Sequence, residues 1–232
     1  MTDIKLPRLP RLPRLPRLKG NTNLSIFTGN EFKGLPVMVS KGPFVYQYLE
    51  KTLNAIDLTF NDYSRVCAIR FDLRFPDDGS YYDHSTNAII QTFIKSLKSK
   101  VKHDRDRAAK SNNRSHDTIV RYVWSREMDS STNPHYHFII LLNKDAYFSV
   151  GSFDPGPSKE SMAGRIEDAW ASALWLPHWD VRGLVHIPDN AVYHMNRNQD
   201  GVPDLFYRAS YMCKVSTKVY GNWCHAFGAS RV

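Results

Sequence analysis

A chain of 232 residues, 42% hydrophobic and 23% charged, can bury one sizeable core but not two large ones, which excludes a fibre and a wholly disordered polymer. Its longest apolar run, Phe138 to Leu142, is far too short to span a bilayer, and Cys67, Cys213 and Cys224 form no C-x-x-C pair; we expect a cytoplasmic protein with reduced thiols, no membrane partner and no cysteine-built zinc site. The net charge of +8 is uneven: residues 1–19 carry +5 and residues 95–114 carry +6, leaving −3 on the remainder, a distribution that suits a polyanionic partner.

Leu-Pro-Arg repeats four times from Leu6 to Arg17, and proline at every third position favours polyproline II, so residues 1–20 read as an extended basic arm outside the fold. The folded domain is expected over 43–232. Pro43 to Phe60 has helical spacing of Phe44, Val45, Tyr48, Leu49, Leu53 and Ile56. Val66 to Pro76 alternates Ile69, Phe71, Leu73 and Phe75 against Arg70, Asp72 and Arg74, a strand whose polar face could meet a ligand. Ser85 or Thr86 can cap a helix carrying Ile89, Ile90, Phe93, Ile94, Leu97 and Val101, which runs on into the second basic segment.

Thr118 to Glu127 and His135 to Asn143 read as strands joined by the turn-rich link Met128 to Pro134, hence an antiparallel hairpin. A Gly/Pro/Ser loop over 151–158 leads to a helix from about Ser158 to Leu174, followed by a strand near Val181 to Ile187. Past a polar stretch from Asn196 to Pro203, Asp204 to Lys218 reads as a last helix.

His135-Tyr136-His137 places two imidazoles on one strand face, as a chelate requires, and Glu127 at the end of the partner strand could reach the same ion as a third ligand. The pair alone is equally compatible with two hydrogen-bonded sheet histidines. On the last helix Tyr207, Tyr211, Lys214 and Lys218 share one stripe. A tyrosine needs a neighbouring cation and an activated electrophile to act as a nucleophile at neutral pH; Lys214 and the histidine site could supply them, which points to phosphoryl transfer. His178, His186 and His194 match no metal spacing and read as structural or surface histidines.

With these residues in place the chain resembles the HUH endonucleases, and the runs Pro134 to Tyr147, Ser210 to Lys218 and Phe227-Gly-Ala-Ser-Arg231 are similar to the YagK/YfjJ-type prophage proteins, the inovirus replication-protein family. The resemblance implies an α+β fold, a single domain with a central antiparallel sheet flanked by helices (HUH/RRM-like). It implies a divalent ion, Mg or Mn, on His135, His137 and an acidic or amide residue, for which hairpin geometry nominates Glu127. It also implies Tyr211 as nucleophile, Lys214 as the motif lysine, a 5′-phosphotyrosine intermediate and a free 3′-OH. Tyr207 fits the spacing of the second tyrosine that some HUH initiators use.

The function expected is that of a sequence-specific DNA nickase that initiates rolling-circle replication of a filamentous prophage or related element. Its partners would be single-stranded DNA at a replication origin and, since no Walker-type loop is present, a host helicase and polymerase. Lys95, Lys98, Lys100, Lys102, Arg105, Arg107 and Lys218 are the expected DNA contacts. The alternatives are a non-catalytic prophage DNA-binding regulator, a relaxase- or transposase-like strand transferase, and a zinc hydrolase built on His135, His137 and a distant histidine such as His194.

Overall fold

The computed structural model describes residues 15–77, 82, 86–111, 115–128, 133–151, 161–220 and 224–231. Most of the Leu-Pro-Arg repeat, Ser85, most of the hairpin link and the expected helix start at Ser158 lie outside the described residues. In chain order the elements are β1 (Arg17–Leu18), β2 (Asn21–Phe27), β3 (Glu31–Phe32), β4 (Leu35–Pro36), β5 (Phe44–Val45), α1 (Tyr46–Asp62), β6 (Arg65–Leu73), α2 (Ala88–Ser111), β7 (Arg121–Glu127), β8 (His135–Asn143), α3 (Met162–Leu174), β9 (Val185–His186), β10 (Val192–Asn196), α4 (Val202–Ser210) and β11 (Phe227–Ala229).

The main sheet is antiparallel throughout, ordered β10-β6-β8-β7-β11, with β9 paired to the upper part of β6 on the edge that β10 occupies lower down. This is a mixed α/β single-domain architecture with a multi-stranded antiparallel sheet and, among the described residues, four α-helices. The side-chain period of two divides the central strands between two cores. Phe71, Phe138 and their row-mates pack against Phe93 of α2 and Trp170 of α3, with Phe71 and Phe138 stacked at 5.3 Å. Ala68, Val123, Ile139 and Leu141 face the other way, onto α1 and α4. Burial on both faces explains why β6 and β8 are apolar almost end to end; the polar members Arg70, Asp72 and His137 all lie on the α1/α4 face.

Three expectations change. The fold begins well before residue 43: Leu18, Phe32, Leu35 and Val37 are core residues on the α4 face, and Arg17–Leu18 pairs with β2, so the end of the supposed free arm is part of the domain. The strand expected over 181–187 shrinks to Val185–His186, because a short 3-10 turn covers His178–Val181 and Gly183 takes a left-handed conformation at φ 78°. The last helix ends at Ser210 rather than Lys218: a 3-10 turn covers Tyr211–Cys213, Lys214 is extended and bridges to Phe44, and Thr217 sits at φ 65°. The four-residue stripe therefore does not lie on one helix.

The basic helix α2 is folded in a way composition did not show. Thr86 accepts the amide of Ala88 at its start, and Asn87 bonds the backbone of His225, placing that start at the Glu127 end of the sheet. Near the opposite end, buried Asp104 accepts Tyr147 Oη, Arg105 and Arg165, each at 2.5 Å, and Arg107 at 3.2 Å. Burial raises the Asp104 carboxyl, but these partners outweigh it and hold the pKa at about 2. A depressed carboxylate stabilises the fold above its unfolded pKa and loses that contribution as pH falls. Wild type should thus lose stability between about pH 4 and 2, and Asp104→Asn should cost roughly 3 kcal/mol at neutral pH and flatten that part of the profile. Chemical denaturation across pH measures both, and an unchanged midpoint in the variant would refute the assignment.

Candidate metal centre and nucleophile

The register of β8 against its neighbours assembles the site. His135 stands opposite Glu127, and His137 lies between Ser125 of β7 and Asp72 of β6, all on the face toward α4. The rings of His135 and His137 meet edge-on, 4.8 Å between centroids. Donor atoms of Glu127, His135 and His137 all lie within 4.8 Å of one another, so the triad expected from the hairpin exists as a possible metal-binding group.

The tautomer of His137 follows from its partners. Its Nδ1 is 2.5 Å from Asp72 Oδ1, and Asp72 is itself paired with Arg70 at 3.0 Å. Burial raises the Asp72 carboxyl, but His137 and Arg70 override it and hold it below the usual carboxylate range, so Nδ1 carries the proton and donates it. Its Nε2 lies 3.5 Å from Glu127 Oε2 and is a buried nitrogen with no hydrogen-bond partner among the described residues. A buried imidazole nitrogen facing a carboxylate oxygen suits a shared cation, and a carboxylate behind a metal-facing imidazole is the arrangement that fixes such ligands. His135 is suited to the same role, since burial, then neighbouring His137, push its pKa below the ordinary value and favour the neutral form.

Glu127 has other partners as well. Its Oε1 accepts Lys218 Nζ at 2.6 Å, and its Oε2 accepts Lys214 Nζ and Thr217 Oγ1, each at 2.8 Å. Burial raises its carboxyl, yet His137 and the lysines hold it far below the usual range. The Lys218 side chain is fully buried, which corrects its assignment as a DNA contact: this cation neutralises Glu127 and cannot reach a phosphate in solvent. Counting Arg70, Lys214 and Lys218 against Asp72 and Glu127, and leaving the imidazoles aside, the cluster carries one net positive charge.

Tyr211 sits in the turn after α4, its ring 5.3 Å from that of His137, with Lys214 Nζ 3.8 Å from the ring centroid. Lys214 thus contacts both Glu127 and Tyr211; burial lowers its pKa, but hydrogen bonds to both partners more than reverse that and keep it charged. The turn is clasped from the N-terminal side: Met38 N donates to Ser210 Oγ, Val215 N donates to Pro43 O, and Lys214 bridges Phe44. Gly201 permits the start of α4, since a Cβ there would lie 2.2 Å from the carbonyl of His194. Tyr207 is 44% exposed on α4, and no ring contact or hydrogen bond joins it to the histidines among the described residues.

The remaining expected contacts divide. Lys95, Lys98, Lys102 and Arg107 are exposed and Lys100 and Arg105 half-buried on α2, which packs on the opposite sheet face and runs away from the histidines. Arg105 and Arg107 pair with Asp104, and Lys102 with Asp106. His194 bonds the carbonyl of Phe148 and lies opposite Cys67, five residues down β6 from Asp72, so it cannot complete a zinc site with His135 and His137. His186, set aside on sequence, lies opposite Asp72 with Nδ1 3.5 Å from its carboxylate. Buried Ser125, whose Oγ has no hydrogen-bond partner among the described residues, lies opposite His137. Neither was detectable without strand register.

Residues 27–230 match the family model of the YagK/YfjJ C-terminal domain. The chain is similar to two Escherichia coli (strain K12) proteins described as uncharacterized: YagK, 32% identical over 201 residues, covering 82% of this chain and 95% of that protein, and YfjJ, 32% identical over 202 residues, covering 82% and 96%. No solved structure matches. With a model match over most of its length and relatives aligned almost end to end, this chain belongs to the YagK/YfjJ C-terminal domain family.

Proposed function

We propose that the protein is a metal-dependent DNA nickase of the HUH type, acting on single-stranded DNA to initiate rolling-circle replication of a prophage-like element in the cytoplasm. The observation that carries this reading is the convergence of the Glu127–His135–His137 triad with the Tyr211 ring and the Lys214 ammonium. Held by that triad, a divalent ion such as Mg or Mn would polarise the scissile phosphate. Asp72 keeps His137 in the tautomer that presents Nε2, and Arg70 keeps Asp72 ionised.

In the proposed step the Tyr211 oxygen attacks phosphorus, the bond from phosphorus to the 3′ oxygen breaks, and the phenolic proton is in net terms transferred to that leaving oxygen. The products are a 5′-phosphotyrosine and a free 3′-OH. Lys214 lowers the cost of phenolate character at Tyr211, and the net positive cluster favours the phosphate. A host polymerase would extend the 3′-OH, and a host helicase would unwind ahead of it.

The saturation of Glu127 by two lysines favours one rival, a DNA-binding regulator without turnover, since an incoming ion must compete with Lys214 at Oε2. Incubation with labelled single-stranded DNA of the same element, with Mn or with EDTA, separates the two on a denaturing gel. The nickase yields an adduct in Mn alone, mapping by peptide analysis to Tyr211. Equal DNA binding in both conditions with no adduct would establish the regulator.

A further inference from the structure

One part of the molecule is unused by this chemistry, namely the C-terminal run Phe227-Gly-Ala-Ser-Arg231. It forms one wall of a groove of about 700 Å³ beyond the free edge of the main sheet. The groove exists because α1 and α2 pack on opposite faces of the sheet and both overhang edge strand β11, with Lys51 and Asn54 on one side and Gln91 and Lys98 on the other. Among the described residues no strand covers the outer edge of β11.

The local sequence explains the groove's shape. At Gly228 any Cβ would fall 2.5 Å from the Trp124 indole, so glycine lets that ring lie directly against the strand. Ser230 and Tyr122 exchange two bonds, Ser230 N to Tyr122 O at 2.8 Å and Tyr122 N to Ser230 Oγ at 2.9 Å, and this fixes the chain just before Arg231. Lys98 Nζ stands 5.3 Å over the Tyr122 ring. Lys51, Lys98 and Arg231, from three separate segments, therefore face one groove; none of its lining residues is acidic, and no carboxylate pairs with any of the three among the described residues.

We propose that this groove binds the phosphate backbone of a single nucleic-acid strand and leads it to the nucleophile. Three cations that no carboxylate pairs among the described residues, around an open groove with no acid in that lining, attract an anion, and two features favour a polymer. At one end the lining residue His225 precedes Ala226, whose carbonyl accepts Arg126 N of β7 one residue from Glu127, so the groove opens beside the candidate site. Towards the other end the exposed lysines of α2 continue past Lys98. This gives the basic helix, which lies on the wrong sheet face to touch the histidines, a role at the groove's far end. The proposal rests on the nickase reading for its substrate class, but its binding contacts are separate from the triad.

The test uses the full chain carrying Tyr211→Phe, in EDTA, with the anisotropy of a labelled single-stranded oligonucleotide measured across a salt series. A triple variant, Lys51→Gln, Lys98→Gln and Arg231→Gln, is compared with a charge-matched control, Lys19→Gln, Lys110→Gln and Lys144→Gln. Removing three phosphate contacts should reduce the slope of log affinity against log salt by about 2 and weaken binding at least about tenfold at physiological salt, with the control near the parent chain. Equal binding and slope in the two triples would overturn the groove, as would no oligonucleotide binding by the parent. Groove-dependent binding by a wild-type chain that never forms the tyrosyl adduct would sustain the groove while removing the nickase. An adduct indifferent to the groove triple would do the reverse.

Discussion

Tyr211→Phe is expected to abolish formation of the covalent DNA adduct and to slow nicking of a supercoiled origin by at least about a thousandfold, the scale on which loss of a nucleophile acts. The substitution removes one oxygen and leaves the ring that packs beside His137, so the fold and the positions of Lys214 and the histidines should persist. Unchanged thermal denaturation would show that the loss is chemical. Tyr207→Phe is the informative companion. Its ring is largely exposed and makes no contact with the triad, so the first cleavage should proceed at the wild-type rate. Nicking that survives Tyr211→Phe and disappears with Tyr207→Phe would move the nucleophile one helical turn back and refute the assignment.

Glu127→Ala is expected to cost about 3–5 kcal/mol of stability, because it strands the fully buried Lys218 ammonium and removes a partner of Lys214. In a chain of this size that lowers the melting temperature by on the order of 10 °C. Lys218→Met should cost less, since Lys214, Thr217 and His137 still surround the carboxylate. The double variant Glu127→Gln/Lys218→Met should recover much of the loss by removing both buried charges. Because the Glu127 pKa is held below its ordinary value, its stabilisation is complete at neutral pH and fades as pH falls below about 4.5, the reference value; the Gln variant should show a shallower acid limb. A loss under about 1 kcal/mol for Glu127→Ala would mean that the ion pair contributes little. Loss of nicking in such a variant says nothing about metal binding unless the folded fraction is measured, and calorimetric titration of Mn into the Gln variant separates the two roles.

Much of the candidate site was legible because it lies on a two-strand hairpin with a short link. Once Thr118–Glu127 and His135–Asn143 are read as neighbours, the alternation of side chains places His135, His137 and Glu127 on one face. The Tyr-x-x-Lys motif was legible as a pattern and misjudged as geometry. Helical spacing suggested one stripe through Lys218, whereas the chain leaves the helix at Ser210 because Lys214 and Val215 join Phe44 and Pro43, partners about 170 residues away that no local pattern reveals. The same reason hid β10 and the contact of Asp72 with His186: what pairs with the outer edge of β6 is decided by long-range pairing. Charge was legible by segment but not by the surroundings of each residue. Lys218 and Lys102 both count as +1 in composition, yet one is sealed against Glu127 and the other lies in solvent beside Asp106.

The clasp on the Tyr211 turn has a consequence in time. Met38 and Ser210, whose bond helps hold that turn, are 172 residues apart, so they belong to the first and last parts of the fold to leave the ribosome. The histidine hairpin needs only its own short stretch to form, while the tyrosine reaches its place only when the two ends of the domain close on each other, an ordering step that loop entropy makes late. A nascent or truncated chain can therefore hold the paired imidazoles without presenting the phenol. The arrangement proposed to cut DNA is thus confined to complete molecules.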